Sequence, residues 1–170
     1  MNYTITINNL KSLINDLIGE YVVYAPKMVK ANTALYEAIA SFDDYDGHVL
    51  QTNTPAKARI YPQCDKLLEF AKTADGVVLK EDERDKESIL FGCRPCDAKG
   101  FSLLDKLFDW EGYRDEPYFA SRDKTTIISL SCIAPQSTCF CNSFEDSGPA
   151  SKTGSDLLLT PIGERYLVEV

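Results

Sequence analysis

Histidine and tryptophan each occur once among the 170 residues, and methionine twice. A lone histidine, His48, leaves no multi-histidine metal site and no Ser–His–Asp constellation to argue for. It stands beside the turn Asp43-Asp44-Tyr45-Asp46-Gly47 and reads as a surface residue. The nine glycines form neither G-x-G-x-x-G nor a P-loop, so a nucleotide site has no support. Basic residues are in deficit: 18 Lys and Arg against 26 Asp and Glu give a net charge of −8. That balance argues against a phosphate-neutralising face, and so against nucleic acid as a partner. No apolar run approaches the roughly 20 residues of a membrane span. The start, Met1 to Asn9, has neither the basic nor the apolar region of a secretory signal. A cytoplasmic setting without membrane contact is therefore expected.

An apolar fraction of 44% and a charged fraction of 26% suit one domain over residues 1–170 with a real core. Asn8 or Asn9 is placed to cap a helix carrying Leu10, Leu13, Ile14, Leu17 and Ile18 on one face, with Gly19 as its stop. Glu20 to Ala25 reads as a strand closed by Pro26. Thr33 to Ser41 and Lys66 to Ala71 read as short helices, and the segment Asn53 to Gln63, with its prolines, as extended or looped. Val77 to Leu79 reads as a short strand and Glu81 to Glu87 as a solvated turn.

Ser88 to Gly92 and Thr125 to Leu130 are apolar without alternation, as in strands covered on both faces. Between them, Asp97 to Phe108 reads as an amphipathic helix with Phe101, Leu104, Leu107 and Phe108 inward and Asp97 as its cap; Tyr113 to Arg122 holds another short helix. Residues 131–155 form an irregular cysteine-containing loop, and Asp156 to Thr160 and Arg165 to Val170 read as two final strands. The succession predicts an α/β domain: a mixed or largely parallel sheet flanked by helices, with cysteine loops at one sheet edge.

Five of the six cysteines fall in two segments, each following one of the two apolar strands. The spacings are Cys93-x2-Cys96, then Cys132-x6-Cys139-x-Cys141. A reducing compartment disfavours structural disulfides, which leaves metal binding, redox chemistry or inert burial. No ferredoxin or zinc-finger spacing is matched, and of these pairs Cys93 and Cys96 alone make a zinc-type knuckle. Cys96 is expected just before a helix N-terminus, where the dipole and free N–H groups favour a thiolate, and Arg94 adds positive charge. Five thiols in two loops after strands favour an iron–sulfur site. A structural zinc site and plain buried thiols are the alternatives. Cys64, apart from the rest, reads as a structural thiol.

The segments Phe91-Gly92-Cys93-Arg94-Pro95-Cys96-Asp97-Ala98-Lys99-Gly100 and Leu104-Asp105-Lys106-Leu107-Phe108 resemble one family's signature. So do Glu116-Pro117-Tyr118-Phe119-Ala120-Ser121-Arg122, the run Cys132 to Cys141, and the upstream block Thr54-Pro55-Ala56-Lys57 through Pro62-Gln63. Together they are similar to the N-terminal part of the iron–sulfur β subunits of cytoplasmic hydrogenase and sulfhydrogenase complexes, a family that includes the corresponding iron–sulfur component of anaerobic sulfite reductase. The C-terminal half of that family carries two clusters of the C-x2-C-x2-C-x3-C-P type; the present sequence contains no such run.

The resemblance implies electron transfer within an anaerobic cytoplasmic oxidoreductase, between catalytic and flavin-containing subunits, with this chain itself non-catalytic. It implies one [4Fe–4S] cluster on Cys96, Cys132, Cys139 and Cys141, with Cys93 and Asp97 in reserve. Its rivals are a cofactor-free docking domain for partner subunits and a structural zinc-binding domain. Apart from the resemblance, the positive charge of Arg94 or Arg122 beside the cysteine segments reads either as solvated surface or as tuning a cluster's potential.

Overall fold

The computed structural model describes residues 1–49, 51–81 and 86–170, with the backbone alone at Glu81. The turn expected at Glu81 to Glu87 therefore lies largely outside the described residues. In chain order the elements are β1 (Asn2–Thr6), α1 (Ile7–Glu20), β2 (Val22–Lys30), β3 (Thr33–Ala38), β4 (Leu68–Thr73), β5 (Gly76–Glu81), β6 (Ser88–Cys93), α2 (Pro95–Phe108), β7 (Asp109–Trp110), β8 (Tyr113–Arg114), α3 (Glu116–Arg122), β9 (Thr125–Leu130), β10 (Leu157–Ile162) and β11 (Arg165–Glu169). Single 3-10 turns form at Phe42–Asp44, Ala56–Arg59 and Cys141–Ser143.

Among the described residues, seven strands make the main sheet, in the order β1-β11-β10-β9-β6-β2-β3. The neighbours β10, β9, β6 and β2 run parallel, and antiparallel strands close both edges. The expected α/β fold with a mixed sheet is thus what the chain adopts. The fully apolar strands β6 and β9 lie side by side at its centre because both of their faces must be covered. On one face Leu10 and Ile14 of α1 pack on Val23, Ile89, Phe91 and Ile128. On the other, Phe101 of α2 and Tyr118 and Phe119 of α3 pack on Leu90, Cys93 and Ile127.

Several local expectations are corrected. Helix α1 starts at Ile7, and its cap is Thr6, whose hydroxyl accepts the Asn9 N–H at 3.2 Å; neither Asn8 nor Asn9 caps it, and Gly19 does not stop it. Strand β2 runs through Pro26. Proline is tolerated there because the Pro26–Tyr36 pair makes no use of the missing donor. The Tyr36 N–H turns away to the Thr54 hydroxyl (3.2 Å), and the Pro26 carbonyl accepts from the Asp46 N–H (3.0 Å).

Residues Thr33–Ala38 form a strand instead of a helix, with Ala34 and Tyr36 buried at the two-residue period. The segment at Asn53 and Thr54 hydrogen-bonds along its free side. Leu68–Thr73 is likewise a strand, hairpinned with Gly76–Glu81. Helix α2 begins at Pro95, which suits the first helical position because it lacks an N–H. Arg94 is its cap residue, so Cys96 lies inside the first turn and Asp97 is not the cap. Leu107 faces solvent; Phe101, Leu104 and Phe108 pack inward.

Candidate iron–sulfur site

The central strands deliver their cysteines to the same edge because β6 and β9 are parallel neighbours in register, Leu90 opposite Ile127 and Phe91 opposite Ile128. The chain leaves the sheet at the C-terminal end of each strand, where open parallel sheets form crevices. On the β6 side a bulge intervenes: the register shifts between Phe91 and Cys93, and Gly92 takes φ +73°. A Cβ there would meet the Tyr45 ring at 3.1 Å and Pro26 Cδ at 3.4 Å.

The bulge breaks the side-chain alternation. Phe91 faces the α1 side and Cys93, two residues on, faces the α2 side. Cys93 is consequently sealed in the core at 0% exposure. Arg94 and Pro95 then turn the chain into α2, and Cys96 emerges half-buried on its first turn.

On the β9 side, Ser131 still bonds to the sheet through its N–H and the Leu159 carbonyl (2.9 Å). Cys132 begins the loop, its N–H donating to the Pro149 carbonyl at 2.8 Å. That bond closes residues 132–149 into a cradle. Inside it, the Cys139 N–H donates to the Gln136 carbonyl (3.0 Å), and the Gln136 N–H donates to Cys139 Sγ at 3.2 Å. A backbone donor on a cysteine sulfur is a group that stabilises a thiolate ligand. Cys141 opens the following 3-10 turn.

Cys96, Cys132, Cys139 and Cys141 all line one cavity of about 590 Å³. Its other walls include Pro95, Leu103, Phe140, Phe144 and Pro149, and Arg94 and Lys99 bring two cations to it. Phe140 and Phe144 contact each other edge to face, with ring centroids 5.7 Å apart. Neither Cys93 nor Asp97 lines the cavity. Asp97 instead accepts from Arg94 Nε at 2.9 Å. Arg122 is also elsewhere, on α3, where its Nε donates to Asp105 Oδ1 at 3.2 Å beside the Tyr118 hydroxyl. His48 and Cys64 are exposed and not part of the cavity.

Burial raises the Cys96 thiol above its ordinary range, and the carboxylate of Asp97 adds to this; Arg94 opposes it, while nearby Cys141 raises it again. Burial and Asp97 thus outweigh the influences at the helix N-terminus that favour a Cys96 thiolate. Cys93 is held well above its ordinary range, chiefly by burial. Among the described residues, no three Cys, His, Asp or Glu side chains already stand at metal-binding closeness.

The donor set nevertheless suits a soft metal centre: four thiols, an N–H to sulfur bond, apolar walls and two cations to offset thiolate charge. The apolar wall residues Leu103, Phe144 and Pro149 carried no sequence signal, since each is an exposed loop or helix residue that only the fold brings to the rim of the cavity. The Gln136 donor is backbone and has no side-chain signature.

Over 150 residues, 87% of the chain, the sequence is 29% identical to the Sulfhydrogenase 2 subunit beta of Pyrococcus furiosus. The likeness agrees in kind with the resemblance carried by the cysteine segments. The matched part spans 42% of that relative's length. No protein-family model and no solved structure matches the chain. No helix among the described residues is long and apolar enough to cross a membrane.

Proposed function

We propose that the cavity holds one [4Fe–4S] cluster on Cys96, Cys132, Cys139 and Cys141. The chain then serves as an electron-transfer component of a cytoplasmic, anaerobic oxidoreductase of the hydrogenase or sulfite-reductase type. The carrying observation is that these four thiols line one apolar cavity at the C-terminal edge of the two central strands. The likeness to a sulfhydrogenase β subunit gives the reading its class of complex and its class of partners, namely catalytic and flavin-containing subunits.

When bound, the cluster supplies a one-electron redox change; the protein's part is binding, orientation and electrostatics. Cys96 is carried by a helix that packs on the sheet through Phe101, so its position is rigid. The loop cysteines are carried by a cradle held by backbone hydrogen bonds, which lets them draw toward Cys96 on ligation. Binding releases the Cys96 thiol proton, so uptake strengthens with rising pH. The Gln136 N–H and Arg94 offset negative charge, which raises the reduction potential.

Anaerobic reconstitution with iron and sulfide tests this. The expected product is brown, with a broad absorbance near roughly 400 nm, and Cys96→Ser and Cys132→Ser each lower its iron content. Elemental analysis separates the outcomes. Zinc in place of iron supports the structural zinc reading. A metal-free parent whose two serine variants fold and associate normally supports the docking domain.

A further inference from the structure

We propose that Gly154 is the positioning residue that sets how closely the cysteine loop approaches Cys96. The proposal rests on the reading of the cavity as a thiol-ligand site, but its test does not require the cluster. Gly154 takes φ +83°, and it sits directly on the first turns of α2. A Cβ there would clash with the Ala98 carbonyl oxygen and fall 2.6 Å from the Ala98 carbonyl carbon and 3.0 Å from the Lys99 nitrogen. All three are backbone atoms of a helix, so no side chain can rotate away to make room.

The helix cannot yield at this point either. Ala98 is fully buried, its N–H bonds to the Arg94 carbonyl at 2.9 Å, and Cys96 lies two residues before it. The loop must move instead. Its downstream side is fixed to the sheet: the Asp156 N–H donates to the Ile127 carbonyl (3.0 Å), the Ile127 N–H donates to Asp156 Oδ2 (2.7 Å), and Ser155 and Ser129 share a hydroxyl bond of 2.6 Å.

Displacement therefore passes upstream. The Ser155 N–H holds the Lys152 carbonyl, the Thr153 N–H holds the Ser151 hydroxyl, and the Ser151 N–H holds the Gly148 carbonyl. Next to Gly148 is Pro149, whose carbonyl receives the Cys132 N–H. A side chain at residue 154 is thus transmitted through a short ladder of bonds to Cys132 and the cradle that carries Cys139 and Cys141. The glycine's missing side chain is what permits the present separation between helix and loop.

The experiment compares Gly154→Ala with Gly163→Ala. Gly163 also has positive φ (+64°), but it lies in the β10–β11 turn with nothing within 4 Å of an added Cβ. It supplies the backbone cost of alanine without the clash. The probe is phenylarsine oxide on reduced, metal-free protein; it condenses with two neighbouring thiols and releases one water. Cys96→Ser in each background isolates binding that bridges Cys96 to the loop.

Gly163→Ala is expected to match the parent. Gly154→Ala is expected to lose about tenfold or more in the Cys96-dependent affinity, as displacing one of two groups that must act together by about 1 Å does. Equal affinity in the two alanine variants overturns the proposal. Should Gly154→Ala fail to fold by circular dichroism, Ser151→Ala decides. It removes a rung of the upstream ladder, the Thr153 N–H to Ser151 hydroxyl bond, without a clash, and an unchanged Cys96-dependent affinity there overturns the proposal as well. A parent that takes up no iron refutes the cluster reading alone, since the arsenical comparison stands without it.

Discussion

Removing one hydroxyl group tests how the β6 bulge is held. Tyr36 on edge strand β3 is 3% exposed, and its hydroxyl donates to the Phe91 carbonyl at 2.6 Å, one residue before the bulged Gly92. Tyr36→Phe deletes the donor and little volume, so it leaves a buried carbonyl without this partner. A typical buried hydrogen bond contributes about 0.5–1.5 kcal/mol net, and an unsatisfied buried acceptor costs about 1–3 kcal/mol. The ring keeps its packing, so no large cavity is opened, and a loss of about 1–2 kcal/mol is expected.

For a chain of this size that lowers Tm by about 2–8 °C. The assay is urea unfolding at neutral pH with the m-value compared between parent and variant. A shifted midpoint at constant m is the expected result. Unchanged or increased stability would refute the claim that the bulge is tied down by this bond. If the bulge loosens as argued, iron uptake by the variant should also fall below the parent's, because the bulge sets where α2 and Cys96 begin.

Three further outcomes follow from the same geometry. Phe101→Ala, at a fully buried α2 position beneath the site, should cost about 3–5 kcal/mol, and a urea midpoint within error of the parent's would contradict the packing described. Burial keeps Cys93 protonated in the folded state, while the unfolded chain loses that proton from about pH 8.5. The benefit is whole below that pH and declines above it by up to about 1.4 kcal/mol per pH unit. Stability measured at neutral and alkaline pH should therefore fall more steeply in the parent than in Cys93→Ala; parallel slopes would count against it. Arg94→Gln removes a cation from the cavity wall and should shift the reduction potential of the reconstituted protein to a more negative value in an anaerobic dye titration; a positive shift would contradict the assigned role.

The sequence determined the parts whose signal is local and strong. The unbroken apolar runs at β6 and β9 required cover on both faces, and the i, i+3, i+4 pattern in α1 and α2 required helices packed on them. The position of the cysteines after those two strands made a shared site legible, because parallel neighbours bring their C-terminal ends together. Thr33–Ala38 and Leu68–Thr73 depart from the helix their sequence suggests for a common reason: Ala, Leu, Glu and Lys favour helix locally, and pairing with β2 and β5 overrides that weak preference.

What cysteine spacing left open, and only the tertiary structure decided in physical terms, is which thiols face the cavity. A single bulged glycine turns Cys93 into the core while Cys96, three residues later, faces the loop cysteines; no spacing rule encodes that reversal. The apolar wall and the rest of Gly154 against the α2 backbone are likewise contacts between segments far apart in sequence. Periodicity records which face a residue shares with its neighbours along the chain. It carries no record of what the folded chain places opposite that face, and the cysteine cavity is made of such opposites.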